Sequence, residues 1–151
     1  MNRQPHFPPD RSAVNAALLA TRVAAGLVFV PHGAQKLFGA FGGAGIGKTV
    51  EMMGSVGYLV AIGEFFGGLG LILGFLSRFS AASLIVIMLG AIAMVHGKNG
   101  FFLSNGGFEY NLALIGLLAS TLLAGPGRAA VGRLLPLPKS AGTDRPLAVL
   151  E

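Results

Sequence analysis

Four apolar stretches dominate the chain, running roughly Ala13–Phe38, Val56–Leu76, Phe79–Val95 and Phe108–Ala124. A helix crosses the hydrocarbon core of a bilayer with about 20 apolar residues, in a range of about 17–25. The second stretch meets this easily, the third and fourth are at the short end, and the first is long but polar at its C-terminal end. Runs such as "AASLIVIMLGAIAMV" (81–95) have no polar side, whereas a surface helix of a soluble domain needs one. In lipid every backbone N–H and C=O must be satisfied internally, which selects helices for segments of this length. The expected fold class is therefore all-α integral membrane, a four-transmembrane-helix antiparallel bundle. Composition agrees: of 151 residues 53% are hydrophobic and 11% charged, where about a quarter charged is usual for soluble domains.

The apolar stretches divide the chain. Residues 1–12 read as a cytoplasmic N-terminal segment, 13–127 as the membrane domain, and 128–151 as a flexible cytoplasmic tail. Pro and charged residues recur from Gly125 onward, and loose order is expected there. The first stretch is not read as a cleaved secretory signal, because Arg22 interrupts it and no clean A-x-A site follows. Orientation follows from the flanking bases. Arg3, Arg11, Arg78, Arg128, Arg133, Lys139 and Arg145 fall on one side, and Lys36, Lys48 and Lys98 on the other. This places both termini in the cytoplasm and the loops 39–55 and 97–108 outside.

Several function classes fall away. The chain has no cysteine, which excludes disulfides, thiol catalysis and Cys-ligated metal. The net charge of +5 is scattered over ends and loops, so no nucleic-acid partner is expected; anionic lipid headgroups account for it better. Gly42, Gly47, Lys48 and Thr49 match G-x-x-x-x-G-K-[ST], the phosphate loop of nucleotide-binding proteins. That motif works between a strand and a helix, and here the end of an apolar helix precedes it. No acidic residue closes a downstream strand to hold magnesium. Gly42–Thr49 is read as a flexible loop, with no nucleotide expected.

The informative residues are charges placed in or beside the spans, where a charge costs about 2.5–3.5 kcal/mol on insertion scales and marks function by default. In the first helix Arg22, Gly26, Phe29, Gly33 and Lys36 share a face, with His32 at its edge. Pro31 is expected to kink that helix. In the second, Gly63, Gly67, Gly70 and Gly74 form a smooth face for a close neighbour, with Glu64 beside it. In the fourth, Glu109, Ala113, Gly116 and Ser120 repeat an acid heading a small-residue face. At about 1.5 Å rise per residue, Arg22 and Glu64 come to similar depth near mid-bilayer and are expected to pair. His32, Lys36, His96 and Glu109 would ring the outer mouth. The candidate catalytic residues are Glu64, His32, Lys36 and Glu109. The candidate cofactor-binding residues are Arg22, His32, Lys36 and His96, with no metal site expected. Three readings stand side by side: ion pairs that only fix packing, a polar cavity for a quinone, and haem or metal ligation by His32 and His96.

The runs "RVAAGLVFVPHGAQKLFG" (22–39), "GEFFGGLGLILGFLSR" (63–78) and "FEYNLALIGLLASTLLAGPGR" (108–128) resemble the DoxX family of small bacterial membrane proteins. The resemblance spans about Leu19 to Arg128. It rests on an Arg followed by H-G-x-x-K, then E-x-x-G-G, a short turn with Arg, and F-E ahead of G-P-G. The matching positions are Arg22, His32, Gly33, Lys36, Glu64, Gly68, Glu109 and Gly125–Pro126–Gly127. It implies four membrane helices and association with membrane oxidoreductase assemblies, some linked to quinone and others to soluble redox partners. The expected function is thus a membrane subunit of a quinone-associated oxidoreductase system, its own catalytic part left open. The alternative is a non-catalytic scaffold anchoring soluble redox enzymes, and a small transporter comes third. Expected partners are the bilayer, soluble redox proteins and further copies of the chain.

Overall fold

Residues 10–134 are described in the computed structural model. The apolar stretches become α1 (Arg11–Phe38), α3 (Val56–Leu73), α4 (Ser77–Ala91) and α5 (Glu109–Ala124), with a further helix α2 (Gly45–Met53) between the first two. A π turn, Ile92–His96, and a 3-10 turn, Gly97–Asn99, prolong α4. No strand occurs among the described residues. α1, α3 and the run Ser77–Asn99 are each long and apolar enough to cross a membrane, and α5 is a shorter apolar helix.

Local chemistry sets the ends of α1. The Asp10 carboxylate accepts the Ser12 N–H at 2.8 Å and caps the first turn. Gly39, at φ +71°, turns the chain out of the last turn and returns its N–H to the Ala34 carbonyl. Pro31 lies inside, yet α1 continues through it to Phe38.

The closest packing is between α1 and α3. A Cβ on Gly33 would lie 2.3 Å from the Phe65 nitrogen, and one on Gly26 would lie 2.7 Å from the Gly68 carbonyl oxygen. A Cβ on Gly68 would lie 2.9 Å from the Val30 nitrogen. Glycine alone lets these backbones touch, and in lipid such contact is what holds helices together. Along this seam Gly33 meets Phe65, Val30 meets Gly68 and Gly26 meets Ile72, so steps up α1 match steps down α3. On α3's other flank the expected smooth face does receive a neighbour: Gly63 meets Ile87, Gly67 meets Leu84 and Gly70 meets Ser80. Ala25, Phe29, Leu71, Leu84, Met88, Leu114 and Leu118 form the core between the helices.

Three expectations need correction. Residues 45–53 are a helix and no flexible loop: α2 buries Thr49, whose hydroxyl donates to the Gly45 carbonyl at 2.8 Å and lies 3.3 Å from that of Lys36. Gly57 admits α2 against α3, since a Cβ there would lie 3.0 Å from the Thr49 carbonyl oxygen. On α5, Ala113 and Gly116 are exposed, and the buried side is Asn111, Leu114, Leu118 and Thr121. Small residues carry no penalty for facing lipid, so their spacing did not identify the packed face. The stretch after Gly125, expected to be loose, packs under the bundle as far as Gly132. Gly125, Pro126, Gly127 and Ala130 are buried, the Asn15 side chain accepts the Arg128 N–H at 2.9 Å, and Gly132 N–H donates to Gly74 at 3.2 Å.

Gly33→Ala should therefore force the α1–α3 seam apart at a cost of about 1–3 kcal/mol, lowering the thermal midpoint in detergent. Gly116→Ala, where nothing lies within 4 Å of the added carbon, should leave that midpoint unchanged. Asp10 gives a pH-dependent counterpart outside the spans. The N–H and hydroxyl of Ser12 hold its carboxyl below the ordinary value, so the cap is complete above that value. The cap is lost as pH falls through the depressed one. Amide exchange at Ser12 to Val14 should accelerate over that acid window, and Asp10→Asn should flatten the profile.

Candidate functional site

The α1–α3 register decides which charges meet. It brings Lys36 beside Glu64, with the ammonium 2.5 Å from Glu64 Oε2. The Glu64 side chain is 6% exposed and that of Lys36 27%, so one flank of the pair is open. It is the only salt bridge among the described residues. Two features frame it. Phe65, next to Glu64, meets Phe38 edge-on at 5.2 Å, and α2 is fastened to the α1 carbonyl of Lys36 itself through Thr49.

The expected Arg22–Glu64 pair does not form. Arg22 lies at the other end of the seam, where α3 stops. Its Nη1 donates to the carbonyls of Leu71 at 2.7 Å and Ile72 at 3.0 Å, and Nη2 donates to Ala129. Carbonyls of a last helical turn have no partner within the helix and carry partial negative charge, so a buried guanidinium satisfies them without a carboxylate. The 1% exposure of Arg22 makes it a clamp joining α1, the end of α3 and the segment 125–132. A Cβ at Gly74 would lie 2.7 Å from Nη1, which leaves no space at this point for a ligand.

The remaining candidates are held locally. His32 Nδ1 lies 2.8 Å from the Val28 carbonyl; a carbonyl only accepts, so Nδ1 carries the proton and Nε2 is free on an exposed side chain. His32 stands one turn before Lys36 on α1, on the approach to the pair. His96 Nδ1 lies 2.8 Å from the Gly106 carbonyl, and Glu109 Oε1 accepts the Leu103 N–H at 2.5 Å. Both therefore brace the 97–108 connection. Among the described residues no three His, Asp or Glu side chains converge as a metal would require. The hydroxyl that a phosphate loop would offer to magnesium is the buried one of Thr49, already spent within the helix.

A separate groove of about 740 Å³ runs between α3 and α4. Gly63 and Gly67 lie along it, with Phe66, Phe79 and Ile87 on its sides and Ser83 among its few polar groups. Its walls are almost wholly apolar and offer almost nothing to a polar group. Sequence reasoning missed Thr49, Gly57 and this groove. Thr49 and Gly57 were visible only as parts of a glycine-rich run, and the groove depends on how α3 and α4 splay.

The sequence model of the DoxX family matches residues 17–97. The chain is also similar to "Inner membrane protein YqjF" of Escherichia coli (strain K12), 29% identical over 124 residues that cover 80% of this chain and 93% of that protein. No solved structure matches.

Removing one member of the Lys36–Glu64 pair strands the other, and such losses run to about 3–5 kcal/mol for buried pairs. The open flank of Lys36 places Lys36→Met and Glu64→Gln at the lower end. The double variant should recover much of the loss in a double-mutant cycle of unfolding. Arg22→Ala combined with Glu64→Gln should instead show additive losses.

Proposed function

Because the chain belongs to the DoxX family of membrane proteins, we propose that it is the membrane subunit of a redox system whose carrier is a quinone. The observation behind this reading is the Lys36–Glu64 pair, a proton-carrying acid and an ammonium held together in an apolar seam with one flank open. A quinone supplies two carbonyl oxygens that take up protons on reduction. Lys36 Nζ would donate a hydrogen bond to such an oxygen, and Glu64 Oε2 would hold or release the proton. His32, with Nε2 free, is placed to pass protons between the pair and the surface. Arg22, His96 and Glu109 act here as supports of the scaffold.

The same proposal includes a four-helix antiparallel bundle of α1, α3, α4 and α5. The pairings Gly33–Phe65, Gly63–Ile87 and Thr21–Ser120 support it. It also includes the bacterial cytoplasmic membrane as location, with α2 and the 97–108 connection outward, on the asymmetry of the bases. Arg3, Lys139 and Arg145, which contribute to that asymmetry, lie outside the described residues.

The purified protein in lipid nanodiscs, titrated with a short-chain ubiquinone or menaquinone analogue, should show saturable binding. The double variant Lys36→Met/Glu64→Gln should stay folded yet bind at least tenfold more weakly. Equal binding by the double variant would remove the pair from the site. No binding by the native chain, with capture of a soluble oxidoreductase instead, would turn the assignment to the scaffold. For orientation, Ser104→Cys should label with an impermeant thiol reagent on intact cells and Ala13→Cys only after permeabilisation.

A further inference from the structure

At the end of the bundle that carries α2, the connections are apolar where they are most exposed. Phe41 is 75% exposed, and Phe38, Met52 and Phe102 are each more than 60% exposed. In water such connections would be polar. The backbone makes the contrast sharper: Phe41 has φ +53°, a left-handed conformation that is an outlier for a bulky residue and is normally taken by Gly, Asn or Asp. Strain of this kind costs on the order of 1–3 kcal/mol and persists only where the surroundings compensate. Among the described residues nothing covers the ring. Its carbonyl is only loosely held, 3.5 Å from the Gln35 side-chain nitrogen.

The neighbouring residues indicate what covers it. The chain's only two tyrosines, Tyr58 and Tyr110, stand in the first turns of α3 and α5, both exposed. Their sites are where two membrane helices begin at this same end. Tyrosine collects at the boundary between hydrocarbon and headgroups, its ring in the apolar layer and its hydroxyl in the wet one. Phe38 ends α1 at the same boundary. α2 joins these two levels and exposes Lys48 and Glu51 beside Met52, a mixed face suited to headgroups above and acyl chains below. The second connection is rigid. His96, Asn99 and Glu109 all hydrogen-bond across it, so Phe102 is presented on a fixed support, with Lys98 nearby in sequence.

We infer that α2 and the Phe101–Leu103 tip are seated in the membrane interface, as two lateral feet of the bundle at the headgroup–acyl boundary, and do not project into water. Burial of the Phe41 ring in that layer offsets the strain of its backbone. The seat is independent of any quinone bound at Lys36 and Glu64.

The chain contains no tryptophan, so Phe41→Trp and Phe102→Trp each give a single-tryptophan protein, and Leu59→Trp on the lipid side of α3 gives a reference. Each is reconstituted in vesicles of phosphatidylethanolamine and phosphatidylglycerol, with phosphatidylcholine brominated either high on the acyl chain or near its end. Tryptophan at 41 and at 102 should emit to the blue of an indole in water. Each should lose emission several-fold with the shallow bromines, less with the deep ones, and little with aqueous acrylamide. Red emission quenched by acrylamide and indifferent to bromolipid at both positions would overturn the inference. Such a tip would stand in water, fit for a soluble protein partner. Retained lipid quenching at 59 would show in that case that the protein was properly inserted.

Discussion

Everything else in the molecule is referred to the contact between the backbones of α1 and α3. Within a bilayer, apolar side chains gain nothing by leaving lipid for one another, so close approach and dispersion must hold the helices. Gly26 and Gly33 on one side and Gly68 on the other give that approach at points where any Cβ would collide. A seam that admits no side chain also admits no slippage. Its register selects Lys36 as the partner of Glu64 and sends Arg22 past the end of α3 to the carbonyls of Leu71 and Ile72.

The two cations along the seam thus have different solutions to one electrostatic problem. Lys36 carries a compact charge on a flexible stem and meets the carboxylate of Glu64. Arg22 spreads its charge over a fork of donors and meets three carbonyls on two segments, an arrangement with no proton to give. The first joins two helices side chain to side chain, and the second rivets a side chain to the backbone of two segments. A further contrast lies in their surroundings: an open flank at Lys36, and at Arg22 a ceiling formed by Gly74 and Ala130.

The fold was legible in the sequence where one physical rule acted alone. Long apolar runs in lipid must be helices, and the runs beginning at Ala13, Val56, Phe79 and Phe108 appear as α1, α3, α4 and α5 within a few residues. The glycine face of α3 was legible too, because three glycines at helical spacing have few other uses. Reasoning from depth failed for Arg22 and Glu64, since depth assumes that two helices begin level. α1 runs well past the end of α3, and composition does not record that offset. α2 was hidden by its glycines, which read as a loop until Thr49 and Gly57 are seen to pack. At the candidate site the sequence marked Lys36 and Glu64 as charges in the spans but paired Glu64 with Arg22, where the structure pairs it with Lys36.

α5 has sixteen residues, about 24 Å of helix at 1.5 Å per residue, against a hydrocarbon layer of about 30 Å. Its neighbour, the run Ser77–Asn99, has twenty-three. Where the two helices stand side by side in a bilayer, the difference is met by tilt of the longer one and by thinner lipid beside α5. The deformation carries a modest elastic cost for each ångström of mismatch. The side of the molecule at α5 therefore suits a thinner layer of lipid than the side at α4.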